Sequence, residues 1–188
     1  SEFTILREGE GSYYLVSAGA YQRLDHDWLW RHMPTDGSVR MDDLTNSMGV
    51  LVLAGPNSRE LLQRVSNSNF GNNAFPWLSA QPVLVGQAPA TAVRVNYVGE
   101  LGWELYIPCE FAQDLYDRLL EAGQDHGLKH AGMHALNSLR LEKAYRHWGH
   151  DITDEDTPLE AGLSFAVAWD KPGGFIGGAG HGATFQDK

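Results

Sequence analysis

One glycine-interrupted aromatic segment constrains the fold of this chain more than any other. It reads Asn96-Tyr-Val-Gly-Glu-Leu-Gly-Trp-Glu-Leu-Tyr-Ile-Pro108. Gly99 and Gly102 disfavour a helix and allow a turn or a close backbone approach, because glycine lacks a Cβ atom. The residues from Trp103 onward suit a strand, whose side chains alternate between two faces. The alternative is a β-hairpin whose aromatic side chains pack in the core, which explains the same residues.

The same segment also carries groups that suit a flat ligand. Tyr97 and Trp103 offer ring faces, and Glu100 and Glu104 are carboxylates. One carboxylate can accept two hydrogen bonds side by side, which fits a planar heterocycle bearing N–H donors, such as a pterin. We therefore predict that Glu104 grips such a ring, with Glu100 as the second candidate and the two aromatic residues as walls.

Basic residues recur on a predicted helix further along the chain. Arg140, Lys143 and Arg146 are spaced so that they would lie partly on one helix face. Such a patch could bind the carboxylates of an anionic ligand. A solvated helix face explains the spacing equally well.

The bulk composition narrows the class of protein. The chain of 188 residues can form one domain or two small packed subdomains. Its formal net charge of −10 argues against binding to nucleic acid or to an anionic membrane surface. No segment approaches the ~20 apolar residues of a membrane helix, and no secretory signal opens the chain. Together with a lone Cys109, this predicts a cytoplasmic protein, or one of the mitochondrial matrix if eukaryotic.

Strands and helices alternate in a mixed order, which predicts an α+β fold with mixed or antiparallel sheets and packed helices. Hydrophobic spacing predicts helices over 20–32, 55–65, 111–126 and 131–145. It predicts strands over 3–6, 13–17, 39–44, 50–53, 83–85, 92–97, 103–107 and 163–169.

Several motifs in a fixed order resemble the folate-binding domain of the glycine-cleavage T-protein (aminomethyltransferase, GcvT) family. Tyr97-Val-Gly-Glu-Leu-Gly-Trp-Glu is similar to its Tyr-Thr-Gly-Glu-x-Gly-aromatic-Glu strand, and Ser138-Leu-Arg-Leu-Glu to its Ser-Leu-Arg-Leu-Glu helix. Asp170-Lys with Phe175-Ile-Gly resembles its Asp-Lys turn, and the segment 49–62 resembles the dimethylglycine and sarcosine dehydrogenase branch.

The resemblance implies a domain organisation. Residues 1–177 would be part of an aminomethyltransferase folate-binding domain, which could divide at 1–80 and 81–177, and 178–188 would be a flexible tail. Family domains begin upstream of the match and continue into a β-rich subdomain, so the chain resembles a fragment. The flavin (FAD) of the dehydrogenases would then lie on a separate domain or on a flavoprotein partner.

The resemblance also implies a function, the binding of tetrahydrofolate and the transfer of a one-carbon unit to it. The unit would come from an N-methylated glycine or an aminomethyl donor. Glu2 stands where the family carries its catalytic acid, and Arg140 would bind a ligand carboxylate or brace Glu104. The alternative is a catalytically inactive scaffold or interaction module of the same fold.

Other candidate residues lack supporting context. Asp42 and Asp43 fall after the Tyr14-Leu-Val segment, whereas the family's acidic strand precedes it. His126, His130 and His134 are four residues apart, but Gly127 and Gly132 interrupt the spacing, so no metal site is predicted. The glycine-rich segment from Gly173 has no following helix to complete a phosphate loop.

Overall fold

The computed structural model describes residues 2–176 and residue 178. Ser1, Gly177 and residues 179–188 lie outside the described residues, and with them most of the predicted tail and the end of the Phe175-Ile-Gly motif. Helices and antiparallel sheets are combined in the described chain, which confirms the α+β class.

The chain divides into two compact units. The larger unit comprises Leu6–Tyr14 and Asp27–Tyr145. The smaller unit takes in the described residues before Leu6, Leu15–His26 and the described residues from Arg146 onward. The subdomain boundary expected between residues 80 and 81 falls inside the larger unit.

A four-stranded antiparallel sheet forms the centre of the larger unit. It contains β3 (Met48–Ala54), β4 (Ala80–Val85), β5 (Ala88–Val93) and β6 (Gly102–Pro108), in the order β3-β6-β5-β4. β6 therefore lies between two neighbours, and Glu104 pairs with Val52 on one side and with Val93 on the other.

The core of the larger unit lies on one face of this sheet. Trp103, Leu105 and Ile107 alternate along β6, and each is fully buried. The α-helices α2 (Ser58–Val65) and α3 (Ala112–Gly123) contribute the facing apolar residues. Each large side chain that is fully buried stabilises the fold by about 1.5–3 kcal/mol through loss of apolar surface to water. This arrangement leaves the even-numbered residues of β6 on the opposite face.

The remaining regular elements are shorter or more exposed. They are the two-stranded sheet of β1 (Thr4–Gly9) and β2 (Ser12–Val16), and the helices α1 (Gln22–His32) and α4 (Met133–Glu142). Short 3-10 helices occur at Gly19–Tyr21, Cys109–Phe111, Gln124–His126 and Ser164–Ala166.

Two predicted strands are wrong. Residues 39–44 form a loop in which Arg40 pairs with Asp42 at 2.7 Å and the Asp43 carboxylate accepts from the Thr45 amide. Within residues 163–169, Ser164–Ala166 is a 3-10 helix, and the amides of Ala166 and Val167 bond to carbonyls three residues earlier. Local contacts replace strand pairing in both segments: a carboxylate caps the Thr45 amide after the first, and a 3-10 turn closes within the second.

α4 is shorter than the predicted helix over 131–145. Gly132 is extended at its start, and Ala144 has a left-handed φ of 56° just beyond its end. The backbone turns there because the amides of Lys143 and Ala144 bond to the carbonyls of the last turn. Arg146 therefore lies beyond the helix, in the smaller unit, and the predicted basic face of Arg140, Lys143 and Arg146 is wrong.

Candidate functional site

Strand alternation places Glu104 and Tyr106 on the face of the sheet opposite the core. Glu104 is half-buried and Tyr106 is 2% exposed, so both groups are partly or wholly shielded from water. The Tyr106 hydroxyl donates a hydrogen bond of 2.5 Å to Glu104 Oε2. Hydrogen bonds to a charged acceptor are short and strong, so this bond fixes the orientation of the carboxylate.

Tyr14 of β2 packs edge-on against Tyr106, with ring centroids 5.8 Å apart. Burial raises the pKa of Tyr106 far above its usual range, and the hydrogen bond to Glu104 and its charge raise it further. Burial and the charge of Glu8 also raise the pKa of Tyr14. Both phenols therefore stay protonated, and Tyr106 remains a hydrogen-bond donor to Glu104 at neutral pH.

Apolar side chains lie beside this carboxylate. Val52 pairs with Glu104 and is 57% exposed, and Val50 pairs with Tyr106 and is 47% exposed. Among the described residues, Tyr106 is the one hydrogen-bond partner of the Glu104 carboxylate, which leaves Oε1 able to accept. A carboxylate oxygen above an open apolar strip can bind a flat ring that carries N–H donors.

A cavity of about 890 Å³ opens on the larger unit, and Tyr106 forms part of its wall. Met48, Leu84, Thr91 and Pro108 are among its other lining residues, whereas Glu104 is not. Tyr106 therefore borders this cavity, but the Glu104 carboxylate does not line it.

The loop that leads into β6 is held by the side chain of Asn96. Its Nδ2 donates to the Glu100 carbonyl at 2.6 Å, and its Oδ1 accepts from the Val98 amide at 3.0 Å. Gly99 has a left-handed φ of 69°. A Cβ atom at Gly102 would lie 2.6 Å from the backbone oxygen of Leu53, so only glycine fits there.

This loop brings two predicted ligand-binding residues, Tyr97 and Glu100, beside the end of α4, which carries a third, Arg140. The rings of Tyr97 and Tyr145 stack at 6.3 Å, and the Glu100 carboxylate lies 4.0 Å from Lys143 Nζ. Arg140 is 4% exposed and donates from Nη2 to Asn137 Oδ1 at 2.6 Å. It also donates from Nη1 to the backbone oxygen of Tyr145 at 2.9 Å. Arg140 thereby fixes the turn that follows α4.

The two other predicted site residues have different surroundings. Trp103 is fully buried in the core, where it meets Phe70 and Phe75 edge-on at 5.5 and 6.1 Å, so it presents no face to a ligand. We therefore assign Trp103 to the hydrophobic core. A core position was the alternative interpretation of the aromatic residues in this segment. Glu2 is exposed, just before β1, and belongs to the smaller unit.

Sequence reasoning missed the residues that orient Glu104. Tyr106 lies two positions after Glu104 on the same strand, so alternation alone places it on the same face. Tyr14 had no such indication, because it comes from a strand distant in sequence. Asn96 was a sequence sign of the turn before β6, since an asparagine side chain commonly bonds to the backbone of its own turn.

The structure also places the histidines that recur every four residues in the sequence. His130 accepts or donates a 2.8 Å hydrogen bond with the Tyr116 hydroxyl, and His126 ends a 3-10 helix. Across residues 2–176 and 178, no three His, Cys, Asp or Glu side chains are grouped so that they could hold a metal ion. None of the helices in that part of the chain is both long and apolar enough to cross a membrane.

Comparison with known proteins adds independent findings. The GCVT N-terminal domain model matches residues 1–171. Human mitochondrial dimethylglycine dehydrogenase is 37% identical over 178 residues, which cover 94% of this chain and 21% of that protein. An aminomethyltransferase of Bacillus cereus is 33% identical over 178 residues, 95% of this chain and 48% of that protein. The chain thus spans about a fifth of the dehydrogenase and about half of the aminomethyltransferase.

A solved structure shows the same fold. The heterotetrameric sarcosine oxidase from Corynebacterium sp. U-96, in complex with pyrrole 2-carboxylate, aligns with a TM-score of 0.53 and 17% identity. The alignment covers 69% of this chain and 64% of that one. The match over residues 1–171 and the identities to dimethylglycine dehydrogenase and aminomethyltransferase confirm the resemblance read from the motifs, and the chain belongs to the GCVT N-terminal domain family.

Proposed function

We propose that this chain is a tetrahydrofolate-binding module of the aminomethyltransferase type, which accepts a one-carbon unit from an N-methylated glycine or an aminomethyl donor. The observation that carries the proposal is the Glu104 carboxylate. Tyr106 orients it, and its second oxygen can accept a hydrogen bond. Two neighbouring N–H donors on a pterin ring match Oε1 together with the remaining lone pair of Oε2, since an ionised carboxylate has about four acceptor positions.

The surroundings of Glu104 fit the rest of the ring. Val50 and Val52 are exposed beside the carboxylate and would pack against a flat heterocycle. In that partly apolar setting a hydrogen bond to a charged oxygen is stronger than in water. The site therefore combines an apolar surface with one directed polar contact, as ligand sites commonly do.

The loop and the end of α4 supply the second part of the proposal. Tyr97, Glu100 and Arg140 lie in one cluster of the larger unit. We assign Tyr97 as a wall of the ligand site and Glu100 as a secondary acceptor. Arg140 donates to Asn137 and to the Tyr145 carbonyl, so its role is to position this turn, and its positive charge would attract a ligand carboxylate.

Bound tetrahydrofolate would supply the nitrogen that captures the one-carbon unit. A carboxylate near a reacting amine stabilises positive charge and can accept the proton that is released. We assign that role to Glu2 on the family resemblance. FAD would belong to a separate domain or to a flavoprotein partner, and the compartment would be the cytoplasm, or the mitochondrial matrix in a eukaryote.

Calorimetric titration of the 188-residue chain with tetrahydrofolate under anaerobic conditions tests the proposal. We expect saturable binding that weakens at least tenfold in Glu104→Gln, since the amide replaces a charged acceptor with a neutral one of the same shape. Tenfold corresponds to about 1.4 kcal/mol, close to the usual difference between charged and neutral hydrogen bonds.

Glu110→Gln is the matched control, because Glu110 is exposed in a 3-10 helix beyond β6. It should bind tetrahydrofolate as the wild type does. Equal affinity in the wild type and Glu104→Gln would refute the Glu104 assignment. A folded wild type with no affinity for tetrahydrofolate would refute the proposal and favour a scaffold or interaction module. Glu2→Gln should keep the affinity and lose one-carbon transfer.

A further inference from the structure

Two arginines of the larger unit converge above the buried indole of Trp103. Arg59 lies on α2, and Arg94 directly follows β5. Their guanidinium carbons lie 5.8 and 5.7 Å from the Trp103 ring centroid. Both side chains are only partly exposed. A cation over an aromatic face is attracted to it, so the indole holds both guanidinium groups in place.

The two guanidinium groups share one acceptor. Arg59 Nη2 and Arg94 Nη2 both donate to Asn72 Oδ1, at 2.7 and 2.9 Å. Each group also donates to one backbone oxygen, Arg59 to Phe70 and Arg94 to Phe75. These bonds explain how the loop between the two phenylalanines is held, but they engage only part of each guanidinium.

Donors remain on both groups. Among the described residues, Arg59 Nη1 and Arg94 Nε have no hydrogen-bond acceptor. A guanidinium carries five N–H groups in a planar fork, which matches the oxygens of a phosphate or a carboxylate. The pair therefore offers preoriented donors beyond those that fasten the loop.

The two cations have no acidic partner among the described residues. Within the described chain neither arginine forms an ion pair, although the whole sequence contains 24 acidic residues and has a net charge of −10. Burial, followed by the charge of Arg59, lowers the pKa of Arg94. The neutral amide oxygen of Asn72 cannot cancel the repulsion between like charges, whereas an anion can.

We propose that Arg59, Arg94 and Asn72 form a binding site for a small oxyanion, either a phosphate or a carboxylate group. The site is independent of the proposed role of Glu104. The oxyanion accepts from the two guanidinium forks, neutralises the pair and replaces solvent at their exposed edges. The Asn72 side chain spaces the two forks, since its oxygen bonds to both.

Nuclear magnetic resonance of arginine Nε–H groups in the 188-residue chain tests the site. Sodium phosphate and sodium acetate are titrated separately, with sodium chloride of equal ionic strength as the reference. We expect saturable shifts of the Arg59 and Arg94 signals with a dissociation constant on the order of 1 mM for one of the two anions. Stronger binding of phosphate assigns a phosphate site, and stronger binding of acetate assigns a carboxylate site.

Lysine variants separate binding from folding. Arg59→Lys and Arg94→Lys keep the charge but lose the planar fork, and each should weaken binding at least tenfold while the chain remains folded. Arg23→Lys on the exposed face of α1 is the control and should bind as the wild type does. Shifts that match those in chloride, or affinity unchanged in both lysine variants, would overturn the proposal. If either lysine variant fails to fold, Asn72→Ala gives the deciding measurement: weaker binding supports the site, and unchanged binding refutes it.

Discussion

The buried phenol of Tyr106 leads to a prediction about stability at alkaline pH. Tyr106→Phe removes the hydroxyl that donates to Glu104 and leaves the ring in place. A hydrogen bond to a charged group contributes about 1.5–3 kcal/mol. Because Glu104 is half-buried and can regain water, we expect a cost at pH 8 near the lower end, about 1–2 kcal/mol.

The pH dependence follows from the raised pKa of this phenol. In the unfolded chain the pKa is close to 10.0, and in the folded chain burial and Glu104 hold it well above that value. The contribution of this phenol to the free energy of unfolding is fully present below the unfolded pKa. It is lost as the pH rises from the unfolded pKa to the folded pKa of Tyr106. In that interval the loss is about 1.4 kcal/mol per pH unit.

Urea unfolding of the wild type and of Tyr106→Phe at pH 8 and pH 11 measures both effects. The difference in free energy of unfolding should shrink by about 1.4 kcal/mol between the two pH values. Tyr13→Phe is the matched control, because Tyr13 is 55% exposed on β2. A gap between wild type and Tyr106→Phe that stays constant up to pH 11 would show that the phenol is not held protonated.

Two further substitutions probe the loop before β6. Gly102→Ala places a methyl group against backbone atoms that cannot withdraw, so we expect a loss of about 2–3 kcal/mol in chemical denaturation. Gly9→Ala meets no atom within 4 Å and should change stability by less than about 0.5 kcal/mol; equal losses would refute the steric argument. Glu100→Gln breaks the exposed 4.0 Å contact with Lys143, and the free energy of unfolding should fall by at most about 0.5 kcal/mol. A fall above about 1 kcal/mol would mean that this ion pair is more shielded than its exposure indicates.

Strand alternation explains what could be predicted around β6 and what could not. It places Trp103 and Glu104 on opposite faces, so the two cannot both line one ligand surface. The pattern was sufficient to exclude Trp103 once the core face was known. The buried face is set by α2 and α3, which cover the odd-numbered residues of β6. The local sequence pattern of β6 does not indicate which face they cover.

The wrong strands have a different cause. Residues 39–44 and 163–169 are apolar enough for strands, but a strand also needs a neighbour to pair with, and pairing is a long-range property. The Asp43 carboxylate accepts from the Thr45 amide instead, and the Ser164 carbonyl accepts from the Val167 amide. In contrast, the family motifs singled out Arg140, which is a buried residue of α4, although its partners Asn137 and the Tyr145 carbonyl could not be read from spacing.

The interleaving of the two units has a consequence for the order in which the chain folds during synthesis. The smaller unit includes Leu15–His26 and the described residues from Arg146 onward, whereas the stretch between them belongs to the larger unit. At about 5–20 residues per second, a ribosome needs roughly 6–24 s to make the ~120 residues that separate the two parts. The sheet of the larger unit can form during that delay. The early part of the smaller unit, Leu15–His26, cannot yet make its contacts with the later part. Exposed apolar side chains in this early part would be available to chaperones until Arg146 and its neighbours emerge.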